Sequence, residues 1–493
     1  MSRVSVSEGL LQGLSEDGVL KFLGIPYASP PTAERRWCSP LPAVPWSGVR
    51  LATNFGPICP QTIGACFNVR QPTQSEDCLY LNVWTRRCDA LAKRPVMVWI
   101  HGGGFFGGAG SEDGYDGSHL ALRDVVLVTF NYRLGAFGFL AHPEVGANFG
   151  IEDQIAALRW VQANIISFGG DPGKVTVFGE SAGAHSIRTL MSCPGAYGLF
   201  HRVILESAGF GDPAIFPSQS FDRTWQASET LFNRLGTHDL SKLRAIPTDV
   251  IRDASHELCG VPPPPGRIHT PANLIWRPVV DGKIVQEGFP GCPSNVPVIM
   301  GCVENEARYF LKPSGSYNTD VLEKLAHNLY GHMSSRALEY LESLDLTLYE
   351  QIDKLFTTAI FSEPALHSAR KFAALGYSVY HFHFNRCTPG ARLTNDLVKH
   401  TSEIRYIFGT LTEDRGHDHV DEEISQLMQS AWISFALNGV PTSLDGHEWP
   451  VYREAEPLTA WIENDLTIRP FPSTDLISLL NLLRLSVCEQ ENV

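Results

Sequence analysis

The sequence predicts an α/β fold in which helices flank a central, mostly parallel sheet, and two observations carry that prediction. Runs that are apolar on both faces of a strand occur at residues 95–100, 125–130, 175–178 and 203–205. Such runs are typical of strands buried within a parallel sheet. Between the second and third runs, residues 153–166 carry apolar side chains at helical spacing, which produces a strand–helix–strand rhythm.

The remaining segments fit around this sheet. Further strands are predicted at residues 4–11, 18–22 and 296–300, and residues 377–384 alternate as a half-buried strand would. The less regular stretches at 212–275 and 319–375 are interpreted as insertions above the sheet. Because no internal repeat or low-complexity linker divides the chain, we expect one elaborated domain over residues 1–493.

The charge of the chain limits its partners. The 493 residues carry 39 basic and 53 acidic side chains, a net charge of -14, and no run of lysine and arginine suggests a nucleic-acid face. The acidity is interpreted first as a solubility feature. The alternative is an acidic field that draws cationic molecules toward a cleft.

No stretch is long and apolar enough to span a membrane, and the N-terminus lacks the apolar core of a signal peptide. We therefore expect a cytoplasmic protein, with a secreted mature form as the alternative. The 11 cysteines contain no CxxC pair and no zinc-like grouping. No metal and no cofactor is expected.

The strongest chemical signal is the pattern GESAG at residues 179–183, directly after the apolar run 175–178. A serine on a sharp strand-to-helix turn projects from the carboxyl end of a sheet, beside the partial positive charge of a helix N-terminus. Small flanking residues are needed because neighbouring atoms crowd such a turn. The context predicts that Ser181 is a nucleophile.

The second signal is HGGGF at residues 101–105, again after a buried strand. Three consecutive glycines fill no space, but they let backbone N–H groups point into a cavity. A tetrahedral intermediate needs such donors for its oxygen atom. A phosphate-binding loop is disfavoured because no Lys-Ser or Lys-Thr pair follows.

Together these motifs resemble the type-B carboxylesterase and cholinesterase family, an α/β-hydrolase family. The resemblance spans nearly the whole chain. It includes SEDCLYLNVW at 75–84, NYRLGAFGFL at 131–140, FGGDP at 168–172 and WISFALNGVP at 432–441.

The resemblance implies the partners of Ser181. His400 begins a segment, HTSEIRYIFG, that matches the one carrying the catalytic histidine, and Glu306 stands at the acid position of GCVENEA, residues 301–307. Ala307 replaces the usual glycine of that motif, and Glu304 is the nearest rival acid. The order serine, acid, histidine suits this fold. The oxyanion hole implied by the family comprises the backbone N–H groups of Gly103, Gly104 and Ala182.

The resemblance also implies structural pairs. Cys59 would form a disulfide with Cys78, with Cys66 as a second partner for either and two free thiols as the alternative. Two buried ion pairs are implied as well, Arg133 with Asp153 and Arg36 with Glu76, which would stabilise the fold rather than act in chemistry.

These features predict a serine carboxylesterase that hydrolyses small-molecule esters through an acyl-enzyme on Ser181. Cholinesterases of the family place a tryptophan for cation–π binding ten residues before the signature cysteine, and this chain has Asn68 there, which argues against acetylcholine. A lipase, a biosynthetic acyltransferase or lactonase with the same triad, and a non-catalytic binding protein are the alternatives. The oligomeric state is not readable from the sequence.

Overall fold

The protein is described by a computed structural model covering residues 2–62, 73–209, 214, 219–259, 268, 273–287, 296–311 and 317–491. Within these residues the chain forms two sheets with helices packed on both faces of the larger one. Cys66, Asn68 and part of the predicted insertion at 212–275 lie outside the described residues.

The strands are numbered along the chain. They are β1 (Arg3–Val6), β2 (Gly9–Gln12), β3 (Leu14–Glu16), β4 (Val19–Pro26), β5 (Val49–Leu51), β6 (Tyr80–Thr85), β7 (Arg94–Ile100), β8 (Val126–Phe130), β9 (Gly170–Glu180), β10 (Arg202–Glu206), β11 (Val298–Val303), β12 (Val379–Phe384), β13 (Leu458–Ile462) and β14 (Leu466–Pro470).

Eleven of these strands form one sheet, in the order β14-β13-β12-β11-β10-β9-β7-β8-β6-β4-β3. From β13 to β8, seven neighbouring strands run parallel, and antiparallel strands extend the sheet at both ends. The small second sheet consists of β1, β2 and β5. The predicted central, mostly parallel sheet is therefore confirmed.

The helices cover this sheet. They are α1 (Ser118–Leu122), α2 (Gly135–Phe139), α3 (Phe149–Asn164), α4 (Ala182–Leu190), α5 (Phe221–Leu235), α6 (Leu240–Ala245), α7 (Thr248–Cys259), α8 (Thr319–Tyr330), α9 (Ser334–Glu342), α10 (Leu348–Thr357), α11 (Glu363–Ala374), α12 (Pro389–Leu393), α13 (Ile404–Phe408), α14 (His419–Asn438) and α15 (Asp475–Glu491). Residues 358–362 form a π-helical turn between α10 and α11.

Alternate residues of the central strands enter two separate cores. In β7, Val96 and Val98 pack into the core that contains α3 and α4, whereas Met97 and Trp99 pack into the core that contains α13 and α14. All seven residues of β7 are buried. Burial on both faces explains why the apolar runs of the sequence are continuous rather than alternating.

Several predicted elements differ in detail from the observed ones. Residues 4–11 form parts of two strands, β1 and β2, because the chain turns back before Gly9, whose φ is 152°. The predicted half-buried strand at 377–384 is fully buried in β12. Its polar-looking positions, His381 and His383, are covered by the aromatic rings of Trp461 and Phe471 and by Tyr452.

Both predicted ion pairs are present and buried. The Arg133 guanidinium donates to both carboxylate oxygens of Asp153, from Nε and Nη2, each at 2.7 Å. Arg36 donates to Glu76 from Nε at 2.8 Å and from Nη2 at 2.5 Å. Arg36 Nη1 also donates to the carbonyl of Leu243 in α6, so this pair joins the N-terminal segment to the insertion.

The disulfide implied for Cys59 and Cys78 is not formed, because both residues are buried free thiols. Cys59 Sγ accepts a hydrogen bond from the backbone N–H of Leu134 at 3.1 Å. The contact with Cys59 and then burial raise the pKa of Cys78 well above its usual value. A raised pKa suppresses the thiolate, the form that oxidation requires.

None of the described helices has the length and apolar character needed to cross a membrane.

Replacing Asp153 by asparagine would leave the Arg133 guanidinium buried without its counter-charge. Removing one partner of a buried pair costs about 3–5 kcal/mol, so we expect urea denaturation to show a loss of that size in the free energy of unfolding. Asp445→Asn is the control, because it removes an exposed carboxylate that pairs with His447 at the surface. A variant as stable as the unmodified protein would show that the pair contributes nothing.

Candidate active site

The predicted nucleophile lies on a strained turn. Ser181 follows β9 directly and caps the N-terminus of α4, with φ 56° and ψ -122°. Its N–H donates to the carbonyl of Glu206 at 2.9 Å, and its own carbonyl accepts from His185 N at 2.9 Å. A non-glycine residue in this region of backbone space costs about 1–3 kcal/mol and is typical of functional sites.

The two glycines of the motif are required by close packing against β7. A Cβ on Gly179 would lie 2.6 Å from the carbonyl oxygen of Ile100, and a Cβ on Gly183 would come closer still to the same atom. Real Cβ atoms do not approach backbone this closely. The turn after β9 can therefore pack against the end of β7 only if positions 179 and 183 lack side chains.

The structure brings the predicted base and acid together. His400 Nδ1 lies 2.5 Å from Glu306 Oε2, and both side chains are buried. The other carboxylate oxygen, Oε1, accepts from Ser207 Oγ at 2.6 Å and from Val303 N at 3.0 Å. The carboxylate is thus held on both sides, with one oxygen directed at the imidazole.

Glu304, the rival acid, is directed elsewhere. Its carboxylate lies 2.7 Å from His383 Nε2 in β12, and no such contact joins it to His400. Burial acts to raise the pKa of Glu304, but the hydrogen bond to His383 together with the positive charges of His383 and Lys354 outweighs it and lowers that pKa. The geometry therefore agrees with the choice of Glu306 over Glu304.

The second imidazole nitrogen faces a carboxylate that the sequence analysis did not single out. His400 Nε2 lies 2.9 Å from Glu180 Oε1, the residue before Ser181. Neither atom makes a well-aligned hydrogen bond to any described residue, so Nε2 is not hydrogen-bonded to Ser181 in this structure. Catalytic hydrogen bonds are often loose in unliganded enzymes and tighten when substrate binds.

The charges around the imidazole raise its pKa. Burial acts to lower the pKa of His400, but the negative charges of Glu180 and Glu306 outweigh it and raise that pKa well above its usual value. Burial raises the pKa of Glu180, against the stabilising charge of His400. Protonation of His400 and protonation of Glu180 therefore depend on each other.

Two more buried carboxyl groups, those of Glu206 and Glu403, interact electrostatically with Glu180. Burial and the negative charge of Glu180 raise the pKa of both Glu206 and Glu403 well above its usual value. Trp432 Nε1 donates to Glu206 Oε1 at 2.9 Å. Because their pKa values are raised, these two groups are expected to be neutral and to add little charge near His400.

Aromatic rings enclose the imidazole. The ring centroids of Tyr309, Phe310 and Phe361 lie 5.7, 5.2 and 5.0 Å from that of His400. Phe361 belongs to the π-helical turn at 358–362, and turns of this kind are frequent at functional sites. The rings limit access of water to the pair formed by His400 and Glu306.

The glycine loop lies against the nucleophile. A Cβ on Gly102 would be 3.2 Å from Ser181 Cβ, and Gly103 and Gly104 have φ values of 103° and 61°. Below them, His101 stacks on Tyr132 with ring centroids 4.4 Å apart. Ala182 is the first residue of α4, and the first N–H groups of a helix lack acceptors within it. These positions suit the predicted oxyanion hole.

A buried network supports the turn that carries Glu306. Arg308 Nε donates to Asp353 Oδ2 in α10 at 2.7 Å, and its Nη1 donates to the carbonyl of Asn395 at 2.7 Å. The N–H of Ala307 donates to Thr357 Oγ1 at 3.1 Å. Arg308 therefore connects the acid turn to α10 and to the segment that leads to His400.

The sequence analysis missed Glu180, Ser207, Arg308 and the aromatic enclosure. Glu180 was inside the motif already identified, so a carboxyl beside the nucleophile was a readable signal. Ser207 follows the apolar run at 203–205 as Ser181 follows its own, and its φ is also positive at 52°. Among the described residues, no group of His, Cys, Asp and Glu has an arrangement suited to a metal ion.

Comparisons with known proteins identify the family. A model of the carboxylesterase family matches residues 1–474. The para-nitrobenzyl esterase of Bacillus subtilis (strain 168) is 35% identical over 498 residues, which cover 96% of this chain and 97% of the relative. The fumonisin B1 esterase of Sphingopyxis macrogoltabida is 33% identical over 481 residues, which cover 92% of this chain and 85% of the relative.

Comparison with solved structures indicates the same family. A solved structure of a PNB esterase, 34% identical, superposes with a TM-score of 0.84 over 97% of this chain and 99% of that chain. The α/β-hydrolase fold implied by the sequence is confirmed. The chain therefore belongs to the carboxylesterase family and is a carboxylic ester hydrolase.

Proposed function

We propose that this enzyme is a serine carboxylesterase that works through an acyl-enzyme on Ser181. The observation that carries the proposal is the buried contact of 2.5 Å between His400 Nδ1 and Glu306 Oε2, beside a serine on a strained turn. A serine hydroxyl is a weak nucleophile at neutral pH and needs a positioned base. The Glu306–His400 pair is suited to supply it.

In the first step, Ser181 Oγ attacks the ester carbonyl carbon while its proton passes to His400 Nε2. Glu306 keeps the imidazole in the tautomer with a proton on Nδ1, so that Nε2 is the free base, and stabilises the imidazolium that forms. The carbonyl oxygen becomes an oxyanion. The backbone N–H groups of Gly103, Gly104 and Ala182 would stabilise its charge by hydrogen bonds.

In the second step, the bond to the alcohol oxygen breaks and His400 gives its proton to that oxygen. The alcohol leaves, and the acyl group remains on Ser181 Oγ. Water then attacks the acyl carbon as His400 takes one of its protons. The carboxylic acid is released when that proton returns to Ser181 Oγ.

The carboxyl of Glu180 suits a supporting role in these steps. A negative charge 2.9 Å from Nε2 favours the imidazolium that forms in both transition states. The same charge also makes the resting imidazole harder to deprotonate. Glu180 would therefore lower the activity at low pH, where His400 stays protonated. It would also stabilise the imidazolium that forms during the reaction.

The chemical class of the substrate is a carboxylic ester, and its acyl and alcohol groups are open. The relatives are named for para-nitrobenzyl esters and for fumonisin B1, two very different esters. Activity on short p-nitrophenyl esters is the expectation for this chain. The rejection of acetylcholine, which rests on Asn68, and the cytoplasmic location both stay predictions.

The nucleophile is tested by Ser181→Ala. We expect kcat/KM on p-nitrophenyl acetate or butyrate to fall by about 10³-fold or more, because no other group can form the acyl-enzyme. Ser241→Ala, at an exposed position in α6, is the matched control and should leave kcat/KM unchanged. Substantial turnover by the Ser181 variant, with the protein still folded, would contradict the proposal.

The pH profile tests the coupling of Glu180 to His400. A raised pKa keeps His400 protonated to higher pH, so the acid limb of kcat/KM should lie above the ordinary histidine value of 6.5. Glu180→Gln removes one of the two charges that raise this pKa and should move the acid limb to lower pH. Asp445→Asn is the control for net charge. An acid limb that stays in place or moves upward in Glu180→Gln would overturn this account.

The network at Arg308 is tested by Arg308→Met, which keeps much of the side-chain volume but removes the hydrogen bonds to Asp353 and Asn395. Small misplacement of a catalytic group can cost about 10²-fold, so we expect kcat to fall about 10- to 100-fold. KM should change little, because the residue supports the acid turn rather than substrate binding. A change confined to KM or to thermal stability would contradict a positioning role.

A further inference from the structure

A cavity lies apart from Ser181, Glu306 and His400. It has a volume of about 400 Å³ and is bounded by the segments at 110–119 and 405–414 and by the rings of Phe55 and Trp84. Neither Ser181, Glu306 nor His400 lines it. Its volume is within the range of small-molecule sites, which is about 300–1,000 Å³.

The ionisable lining of this cavity is mostly acidic. Four carboxyl groups face one guanidinium and one imidazole: Glu112, Asp113, Asp116 and Asp414, with Arg405 and His119. Lys21 lies 3.4 Å from Asp116 at the outer side. An anionic ligand would meet an excess of like charge here, whereas a cation would be attracted.

Three buried polar atoms of the lining have no hydrogen-bond partner among the described residues. They are Trp84 Nε1, Ser111 Oγ and Glu112 Oε1. The residues Trp84 and Ser111 are only 1% and 8% exposed. Buried polar groups are usually paired in folded proteins, so these three atoms are available to pair with a bound molecule.

The apolar part of the lining indicates what else the ligand carries. The rings of Phe55 and Trp84 lie 6.3 Å apart at a tilt of 45°, and Tyr115, which is buried, also lines the cavity. Aromatic rings beside a carboxylate are the combination that binds organic cations, through ring faces and charge together. A metal ion would use neither ring.

We propose that this cavity is a second binding site, for a small organic cation whose ammonium group pairs with Glu112 Oε1 and whose apolar part contacts Phe55 and Trp84.

The chemistry of Glu112 fits this ligand. Burial raises the pKa of this carboxyl to about 8, a hydrogen bond with the backbone of Ala109 lowers it in part, and the negative charge of Glu180 raises it further. A cation bound at Oε1 would supply the missing counter-charge and return Glu112 to its ionised form. Ser111 Oγ can accept a second hydrogen bond from an ammonium group.

The site is tested by calorimetric titration of the whole enzyme with benzylamine, against benzyl alcohol as the neutral analogue. We expect saturable binding of benzylamine and at least tenfold weaker binding of benzyl alcohol. Glu112→Gln keeps the shape of the side chain but removes its charge. It should weaken the binding of benzylamine about tenfold, as expected for loss of a charged hydrogen bond. Asp445→Asn, which removes one distant exposed carboxylate, should bind as the unmodified enzyme does.

A second variant, which fills the cavity, keeps the proposal testable if Glu112→Gln does not fold. Thr412 is exposed at the rim of the cavity, so Thr412→Trp should fill it from outside and abolish the titration. The titration is repeated after treatment with a serine-directed phosphonate, and binding should persist. Equal binding of amine and alcohol, unchanged binding in Thr412→Trp, or loss of binding in the phosphonylated enzyme alone would overturn the proposal. Glu112→Gln and Thr412→Trp test benzylamine binding directly, so their results do not depend on whether Ser181 is the nucleophile.

Discussion

The contact between His400 Nδ1 and Glu306 Oε2 is the interaction on which the candidate active site depends. It joins two loops that follow the adjacent parallel strands β11 and β12, and parallel strands end at the same edge of a sheet. Ser207, at the end of the next strand, fixes the carboxylate from its other side. The sheet therefore positions the predicted base and acid before any substrate binds, an arrangement that avoids reorganisation during a reaction.

The same edge of the sheet brings several buried carboxyl groups together. Glu180, Glu306 and Glu403 act electrostatically on one another, and a single imidazole lies among them. Burial raises the pKa of Glu180 and of Glu403, which favours the protonated form of both groups. The cavity beside Glu112 extends this acidic region outward, since Glu112 and Glu180 also influence each other.

The elements that could be predicted from the sequence are those whose signal lies within a short segment of the chain. The apolar run before Ser181 predicts the buried strand, and the flanking glycines are explained by the approach of Ile100. The nature of β12 was misjudged, because alternation of His and apolar residues resembles a half-exposed strand unless Trp461 and Phe471 are known to cover it. The single domain over residues 1–493 stays a prediction.

By itself, the sequence determined the fold class and, through its resemblance to a family, predicted Ser181 as nucleophile with Glu306 and His400 as acid and base. Those features depend on short segments whose backbone geometry and steric needs are local. Only the tertiary structure decided that Glu180 faces His400, that Arg308 braces the acid turn, and that Glu112 lines a separate cavity. These contacts join residues that are up to hundreds of positions apart, and burial, which sets their charges, exists only once the chain is packed.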